Sequence, residues 1–110
     1  MKNGEIPTSI ELMGFRISVL IIPERDWRDD KTAGHWDTTE CRMLIRGDRP
    51  AQFQQQVFCH ELVHAILEKM GEEELCGNEK FVDVFGSLLH QVWASATYDR
   101  ADTSAKKKAK

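Results

Sequence analysis

The sequence lacks any apolar run long enough to cross a membrane, and it contains little cysteine. A membrane-spanning helix needs about 20 mostly apolar residues, whereas the longest unbroken apolar stretch here is residues 19–23. The first residues are polar and carry no apolar signal segment, so we expect no secretory signal, no membrane contact and a cytoplasmic location. The three cysteines are odd in number and show no C-x-x-C spacing, which indicates free thiols rather than a disulfide framework.

Positive charge is scarce outside the last few residues. The 110-residue chain has 15 basic and 18 acidic residues, and four of its lysines lie within residues 106–110. The rest of the chain carries 11 basic and 18 acidic residues, a net charge of −7, which argues against a nucleic-acid partner. We expect residues 1–104 to form one domain and residues 105–110 to form a disordered basic tail.

Hydropathy patterning divides the chain into a first half of strands and a second half of helices. Residues 15–22 are rich in β-branched side chains, and a short extended piece precedes them at 10–13. A second extended region covers residues 34–46, in which residues 38–40 could turn one strand into the next and a further, strongest strand is centred on 43–45. The simplest arrangement pairs this further strand antiparallel with residues 15–22. We therefore expect an α+β fold in which a small antiparallel or mixed sheet of about three strands packs on two long helices.

The two helices are predicted from apolar residues at helical spacing. The first runs from about residue 50 to residue 70, with Asp48 as its N-terminal cap. The second runs from about residue 78 to residue 96, with Asn78 as its cap. Gly86 lies inside the second helix, where glycine costs about 1 kcal/mol relative to alanine. A close contact between the two helices at Gly86 is the expected reason.

The first helix contains His60-Glu61-Leu62-Val63-His64, an H-E-x-x-H motif. Positions four apart share one helical face, so both imidazoles can converge on a single metal ion. Zinc suits these ligands, because it binds neutral imidazole nitrogens in a tetrahedral shell and keeps one position for water in catalytic sites. Glu61 lies about 100° round the helix from His60, where it can reach that water as a general base rather than bind the metal. If the motif is accidental, the two histidines are hydrogen-bonded polar residues on a buried helix and Glu61 faces solvent.

A catalytic zinc site needs a third protein ligand, and the sequence offers Cys76, Glu79, Asp83 and His90. Glu79 lies near the start of the second helix, which an antiparallel return brings beside the C-terminal half of the first. His90 follows 11 residues later, about 16 Å further along a helix axis, so Glu79 and His90 cannot both bind one ion. As a non-ligand, His90 would lie on the exposed side of its helix.

Residues 60–93 resemble a family of small metallopeptidases. The segment Asn78-Glu79-Lys80-Phe81-Val82-Asp83 is similar to the N-E-x-x-x-D segment of thermolysin-like gluzincins. With Phe85 six residues after Glu79, it also resembles the E-x-x-x-[ND]-x-F helix of ImmA/IrrE-type and phage-encoded metallopeptidases, whose strands precede the H-E-x-x-H helix. The resemblance covers about residues 10–95. It implies a minimal zincin-like fold and a zinc metalloendopeptidase that acts on a peptide or protein substrate.

The resemblance also implies roles for individual residues. His60, His64 and Glu79 correspond to the zinc ligands, and Glu61 corresponds to the general base. Asp83 would accept a hydrogen bond from the ring nitrogen of His60 that does not bind the metal, as ligand histidines usually require. The spacing agrees, because positions 79 and 83 share a helical face.

By the same resemblance, Asn78 would accept a hydrogen bond from the ring nitrogen of His64 that does not bind the metal. The chain departs from larger gluzincins, because the short span between its helices leaves no room for their second subdomain. It also has no clear counterpart of their transition-state donors. His35 could supply such a donor beside the cleft, and Tyr98 could do so if the chain folds back after the second helix.

A non-catalytic, zinc-stabilised regulatory or protein-binding module of phage or prophage type is the alternative function.

Overall fold

A computed structural model describes residues 5–99, and the basic tail expected at 105–110 lies outside them. The described residues form an α+β fold, as the sequence predicts. Its elements are β1 (Ser9–Leu12), β2 (Phe15–Ile22), β3 (Gly34–Asp37), β4 (Arg42–Arg46), α1 (Ala51–Lys69), α2 (Glu73–Cys76) and α3 (Glu79–Ser95). A single 3-10 turn, Glu24–Asp26, lies between β2 and β3. Within residues 5–99, no helix combines the length and the apolar character that a membrane span requires.

The sheet has four strands in the order β1-β2-β4-β3, one more than the sequence indicates. β1 pairs antiparallel with β2, and β3 pairs antiparallel with β4. β4 runs parallel to β2, with Val19 opposite Met43, so the antiparallel pairing expected for this strand is wrong. The reason is that β3 runs opposite to β2 but is not its neighbour in the sheet. The chain then reverses after β3, and β4 lies between β2 and β3. The sheet is therefore mixed, and β3 forms one of its edges.

One face of the sheet packs against the two long helices. Alternate residues of β2 and β4 are buried there, because successive side chains of a strand point to opposite faces. Val19, Met43 and Ile45 meet α1 side chains that include Phe58 and Leu62 in one apolar core. Burying a side chain of this size contributes about 1.5–3 kcal/mol. The core thus holds α1, which carries the H-E-x-x-H motif, at a fixed position on the sheet.

α1 begins after Pro50 without a side-chain cap, so the cap predicted at Asp48 is wrong. Asp48 Oδ1 instead accepts a hydrogen bond from Nε of the buried Arg46 at 2.8 Å. Arg46 also donates through its side chain to the Asp29 carbonyl oxygen at 3.3 Å and through its backbone to the Ala33 carbonyl oxygen at 2.9 Å. The Asp48 carboxylate therefore binds Arg46 instead of capping α1. Arg46 in turn holds the segment before β3 through Asp29 and Ala33.

α3 begins with the predicted cap and meets α1 at the predicted glycine. Asn78 Oδ1 accepts a hydrogen bond from the Phe81 backbone N–H at 3.0 Å. A Cβ atom added to Gly86 would lie 3.0 Å from His60 Cα and 3.2 Å from His60 N. The two helices therefore approach each other closely at the first histidine of the motif, and the expected close contact at Gly86 is confirmed.

Candidate metal centre

Three predicted ligands converge between α1 and α3. His60 Nε2 lies 3.3 Å from Glu79 Oε1, and His64 Nε2 lies 3.2 Å from Glu79 Oε2. The ligand atoms that the three residues offer lie within 4.8 Å of one another. His60, His64 and Glu79 therefore form a group that could hold a metal ion.

Local structure explains this convergence. His60 and His64 lie one helical turn apart, so their rings project from the same face of α1. The Asn78 cap makes Glu79 the first residue of α3, at the point where the chain has returned beside α1. The connection, residues 70–78, is short and contains α2. The ligand set thus depends on one helical spacing and one tight connection.

The other candidate ligands lie outside this group. Cys76 Sγ lies 3.6 Å from His64 Nδ1 and 3.4 Å from the His64 carbonyl oxygen, so it approaches the nitrogen that faces away from Glu79. His90 Nε2 lies 3.4 Å from Gln55 Oε1, and the His90 side chain is half-buried rather than exposed. Sequence reasoning treats Cys76 only as a possible ligand. Its place in the short connection before α3 is the signal that could have suggested contact with His64.

The two residues implied as partners of the histidines occupy different surroundings. Asp83 Oδ1 lies 3.6 Å from His60 Nδ1, the nitrogen opposite the one that faces Glu79. The Asn78 side chain is engaged at the start of α3, and in the described part of the chain no hydrogen bond joins it to His64. The structure therefore brings Asp83 to His60, whereas Cys76 rather than Asn78 lies beside His64 Nδ1.

Glu61 lies almost out of contact with bulk water, although it borders the same cleft. Its exposed fraction is 7%, and a Cβ atom added to Gly34 of β3 would lie 3.0 Å from Glu61 Oε2. Burial, together with repulsion from the Glu79 carboxylate, raises the pKa of Glu61 to about 7. A carboxyl group with this pKa can both accept and return a proton near neutral pH.

A cleft of about 500 Å³ runs along these residues. One wall is formed by residues 32–36 at the start of β3, and the opposite wall is formed by α1 from Phe53 to His64, with Glu79 and Asp83 beside it. Because β3 is an edge strand, the cleft lies next to a strand edge that pairs on one side only within residues 5–99. This arrangement leaves a main-chain hydrogen-bonding edge beside the candidate metal centre.

The two predicted transition-state donors are placed differently from the ligands. His35 belongs to the cleft wall, yet it pairs with Leu44, one position away from the core residue Met43. Because side chains alternate along a strand, the His35 side chain leaves the sheet on the face opposite α1. Tyr98 follows the end of α3 and is exposed. The His35 side chain therefore does not point toward the candidate ligands, and Tyr98 is not among the residues that line the cleft.

Burial also separates the cysteine next to the motif from the site. Cys59 is fully buried in the core, and burial raises the pKa of its thiol to about 11. The thiol therefore stays protonated and packs as a small apolar group.

Comparison of the chain with protein-family models, with characterised proteins and with solved structures finds no match. A functional assignment therefore depends on the chemistry of the cleft. Two imidazoles and a carboxylate that converge within a few ångströms, with a buried carboxyl group beside them, are suited to metal binding and to proton transfer.

Proposed function

We propose that this chain is a zinc-dependent metalloendopeptidase that hydrolyses peptide bonds, with Glu61 as its general base. The observation that carries the proposal is the approach of His60 Nε2 and His64 Nε2 to the two oxygens of one Glu79 carboxylate, at 3.3 and 3.2 Å. Two histidines and a glutamate, with a fourth position for water, are a ligand set of catalytic zinc sites. The buried Glu61 on the same cleft supplies the proton acceptor that such a site needs.

The mechanism assigns separate tasks to the carboxylates of the cleft. Zinc, when bound, supplies Lewis acidity that polarises a carbonyl group and makes water easier to deprotonate. Glu61 accepts a proton from the attacking water and then donates it to the leaving amine, for which a pKa near neutrality is suited. Asp83, whose Oδ1 lies 3.6 Å from His60 Nδ1, is placed to orient the His60 ring so that Nε2 faces Glu79.

The strand edge beside the cleft indicates how a peptide would bind. An extended peptide can add to an exposed strand through main-chain hydrogen bonds. β3 offers such an edge, and residues 32–36 line the wall that faces the motif. Because main-chain hydrogen bonds do not distinguish side chains, we propose that β3 positions the substrate backbone and that the cleft wall formed by α1 contributes selectivity.

Zinc content tests the proposed ligand set. Wild-type protein purified with zinc present should retain about one zinc ion per chain, whereas His64→Ala should lose it. His90→Ala is the matched control, because His90 lies on α3 beside Gln55 and outside the ligand group. Elemental analysis after removal of free metal measures the difference. A wild-type protein without zinc, or zinc loss in His90→Ala equal to that in His64→Ala, overturns the proposal.

Cleavage of a peptide library tests the proposed base. Glu61→Gln should keep its zinc and lose at least about 100-fold in cleavage rate, the usual contribution of a positioned general base. Glu73→Gln changes an exposed glutamate of α2 in the same way and should cleave at the wild-type rate. Mass spectrometry of the products measures both variants. Undiminished cleavage by Glu61→Gln contradicts the assigned role.

A second candidate function is a non-catalytic, zinc-stabilised regulatory or protein-binding module of phage type. The placement of His35 favours it, because the side chain expected to stabilise the transition state leaves the sheet on the face opposite α1. This candidate requires that wild-type protein binds zinc but cleaves no member of a diverse peptide library. Zinc-dependent cleavage by the wild type eliminates it.

A further inference from the structure

α3 carries a second feature that the candidate metal centre does not use. A row of apolar side chains lies along the outer side of the helix; this α3 stripe consists of Phe81, Val84, Phe85, Leu88 and Val92, of which Phe81 also packs against the core residues Val63, Leu67 and Val82. Four of its members are about half exposed, at 52% for Val84, 48% for Phe85, 58% for Leu88 and 62% for Val92. Contiguous apolar patches of this kind on a protein surface usually mark an interaction site.

The stripe lies on the side of α3 that faces away from the candidate metal centre. Leu88 follows Glu79 by nine positions, which at about 100° per residue places it on the opposite side of the helix. The core-facing side of α3, with Val82 and Gly86, lies between these two directions. A partner that covers the stripe would therefore leave the cleft open.

We propose that the α3 stripe is the interface of a homodimer, in which α3 of one copy packs antiparallel against α3 of a second copy across a two-fold axis. Phe81, Phe85, Leu88 and Val92 are spaced by four, three and four residues, the spacing of a helix-pairing seam. This spacing reads the same in both directions. Antiparallel pairing therefore places Phe81 opposite the partner's Val92 and Phe85 opposite the partner's Leu88, a larger side chain against a smaller one in each case.

The surface available is comparable to that of the smaller specific interfaces. The half-exposed members of the stripe leave on the order of 400 Å² of apolar surface, since a large side chain offers about 150–250 Å² when free. A standard interface buries about 800 Å² on each partner, of which roughly two-thirds is apolar in homodimers. The stems of Lys80 and Gln91, both exposed at the border of the stripe, and the exposed part of Phe81 add to this surface.

The shape and charge of the stripe agree with a second copy as the occupant. A groove of about 390 Å³ at the N-terminal half of α3 is lined by Asn78, Lys80, Phe81, Val84, Phe85 and Leu88. Antiparallel pairing brings the partner's Leu88 and Val92 to this groove. The stripe itself carries no charge, so two acidic chains can meet there without opposing like charges.

Molar mass in solution tests the proposal with a matched pair of variants. By light scattering at micromolar concentration, the wild type should have twice the 12.7 kDa mass of the chain. Phe85→Glu should be monomeric, because two buried carboxylates would face apolar partners. Phe15→Glu is the control: Phe15 on β2 is 55% exposed, and a glutamate there meets Lys69, which lies 4.1 Å from the Phe15 ring. This control should remain a dimer.

A charge exchange tests the antiparallel geometry and guards against misfolding of a single variant. Leu88→Lys alone should weaken dimerisation by about tenfold or more. Combining Phe85→Glu with Leu88→Lys should restore much of the dimer, because position 85 of one copy lies opposite position 88 of the other. Circular dichroism verifies that each variant is folded. A monomeric wild type, a dimer that survives Phe85→Glu, or folded variants without rescue overturns the proposal, whether or not the chain binds zinc.

Discussion

Glu61 and Glu79 illustrate how position decides the chemistry of a carboxylate. The Glu79 side chain is 71% exposed and reaches both histidines from the first turn of α3. Glu61, on the neighbouring α1, lies against Gly34 and is nearly buried. Water and the histidine rings can stabilise a charge on Glu79, whereas the surroundings of Glu61 favour its neutral form. One carboxylate is thus suited to bind a cation and the other to move a proton.

Replacing Glu61 with glutamine should stabilise the metal-free protein above neutral pH. The pKa of Glu61 is raised in the fold from 4.5 to about 7, so the folded protein keeps a proton that the unfolded chain has lost. Wild-type stability should therefore fall as the pH rises from 4.5 to 7, by up to about 3 kcal/mol. A glutamine side chain does not ionise, so the Glu61→Gln variant does not lose stability in this way. Urea unfolding in a chelator should show Glu61→Gln near wild type at pH 4.5 and more stable above pH 7; a constant difference across this range contradicts the prediction.

Asp83 should affect zinc affinity without binding zinc. Its Oδ1 lies 3.6 Å from His60 Nδ1, and removal of such a partner usually weakens metal binding about 10-fold to 100-fold. Asp83→Asn should therefore bind zinc at least about 10-fold more weakly in competition with a chromophoric chelator. Asp26→Asn, in the 3-10 turn after β2, is the control and should bind zinc as the wild type does. Equal affinities for all three proteins would show that Asp83 has no positioning role.

Two glycines allow the elements around the cleft to approach each other closely. At Gly34, an added Cβ atom would lie 2.5 Å from Val57 Cγ1, so β3 lies directly against α1. At Gly86, the obstacle is the His60 backbone. Backbone atoms cannot turn aside as a flexible side chain can, so the spacing between α1 and α3 depends on the absence of a side chain at position 86.

Alanine at position 86 should destabilise the protein although alanine is the better helix former. The gain in helix propensity is about 1 kcal/mol, but overpacking against a backbone costs about 1–3 kcal/mol and separates the helices. We expect a net loss of up to about 2 kcal/mol in the free energy of unfolding, together with weaker zinc binding. Gly77→Ala is the matched control, because an added Cβ atom there meets nothing closer than 3.6 Å. Denaturant unfolding that finds Gly86→Ala as stable as Gly77→Ala would refute this account.

The helices and their contact could be predicted from the sequence, whereas the strand order could not. Apolar periodicity locates α1 and α3, and short-range rules identify the Asn78 cap and the contact at Gly86. The extended region at 34–46 and the possible turn at 38–40 are visible in the sequence, and β3 and β4 lie on the two sides of that turn. The parallel pairing of β2 with β4 depends on where the long connection between β2 and β3 carries the chain.

The same distinction applies to the residues of the cleft. The spacing of His60 and His64 places both on one face, and the position of Glu79 follows once the second helix is known. The approach of Cys76 to His64 depends on the path of residues 70–78, which no periodic pattern specifies. Asp48 could not be excluded as a helix cap without knowing that Arg46 lies within reach of it.

Metal removal should lower the stability of the whole molecule. An ion bound only by the folded state adds about 2.7 kcal/mol when its free concentration is about 100 times its dissociation constant. In a domain of this size that corresponds to a Tm difference of roughly 10–20 °C. A chelator should therefore lower the Tm of the wild type by this amount, and added zinc should restore it. His64→Ala should melt at the same temperature with and without chelator; a wild type that behaves likewise contradicts metal binding.

All three candidate ligands lie within residues 60–79, on the two sides of a single short connection. An ion shared by His64 and Glu79 would close the chain segment between these two residues in the folded state only. The four strands lie outside this closed segment. Metal binding would thus slow local opening of the helical hairpin directly and that of the sheet only through contact with α1. In hydrogen exchange, amides of α1 and α3 should gain more protection from zinc than those of β1.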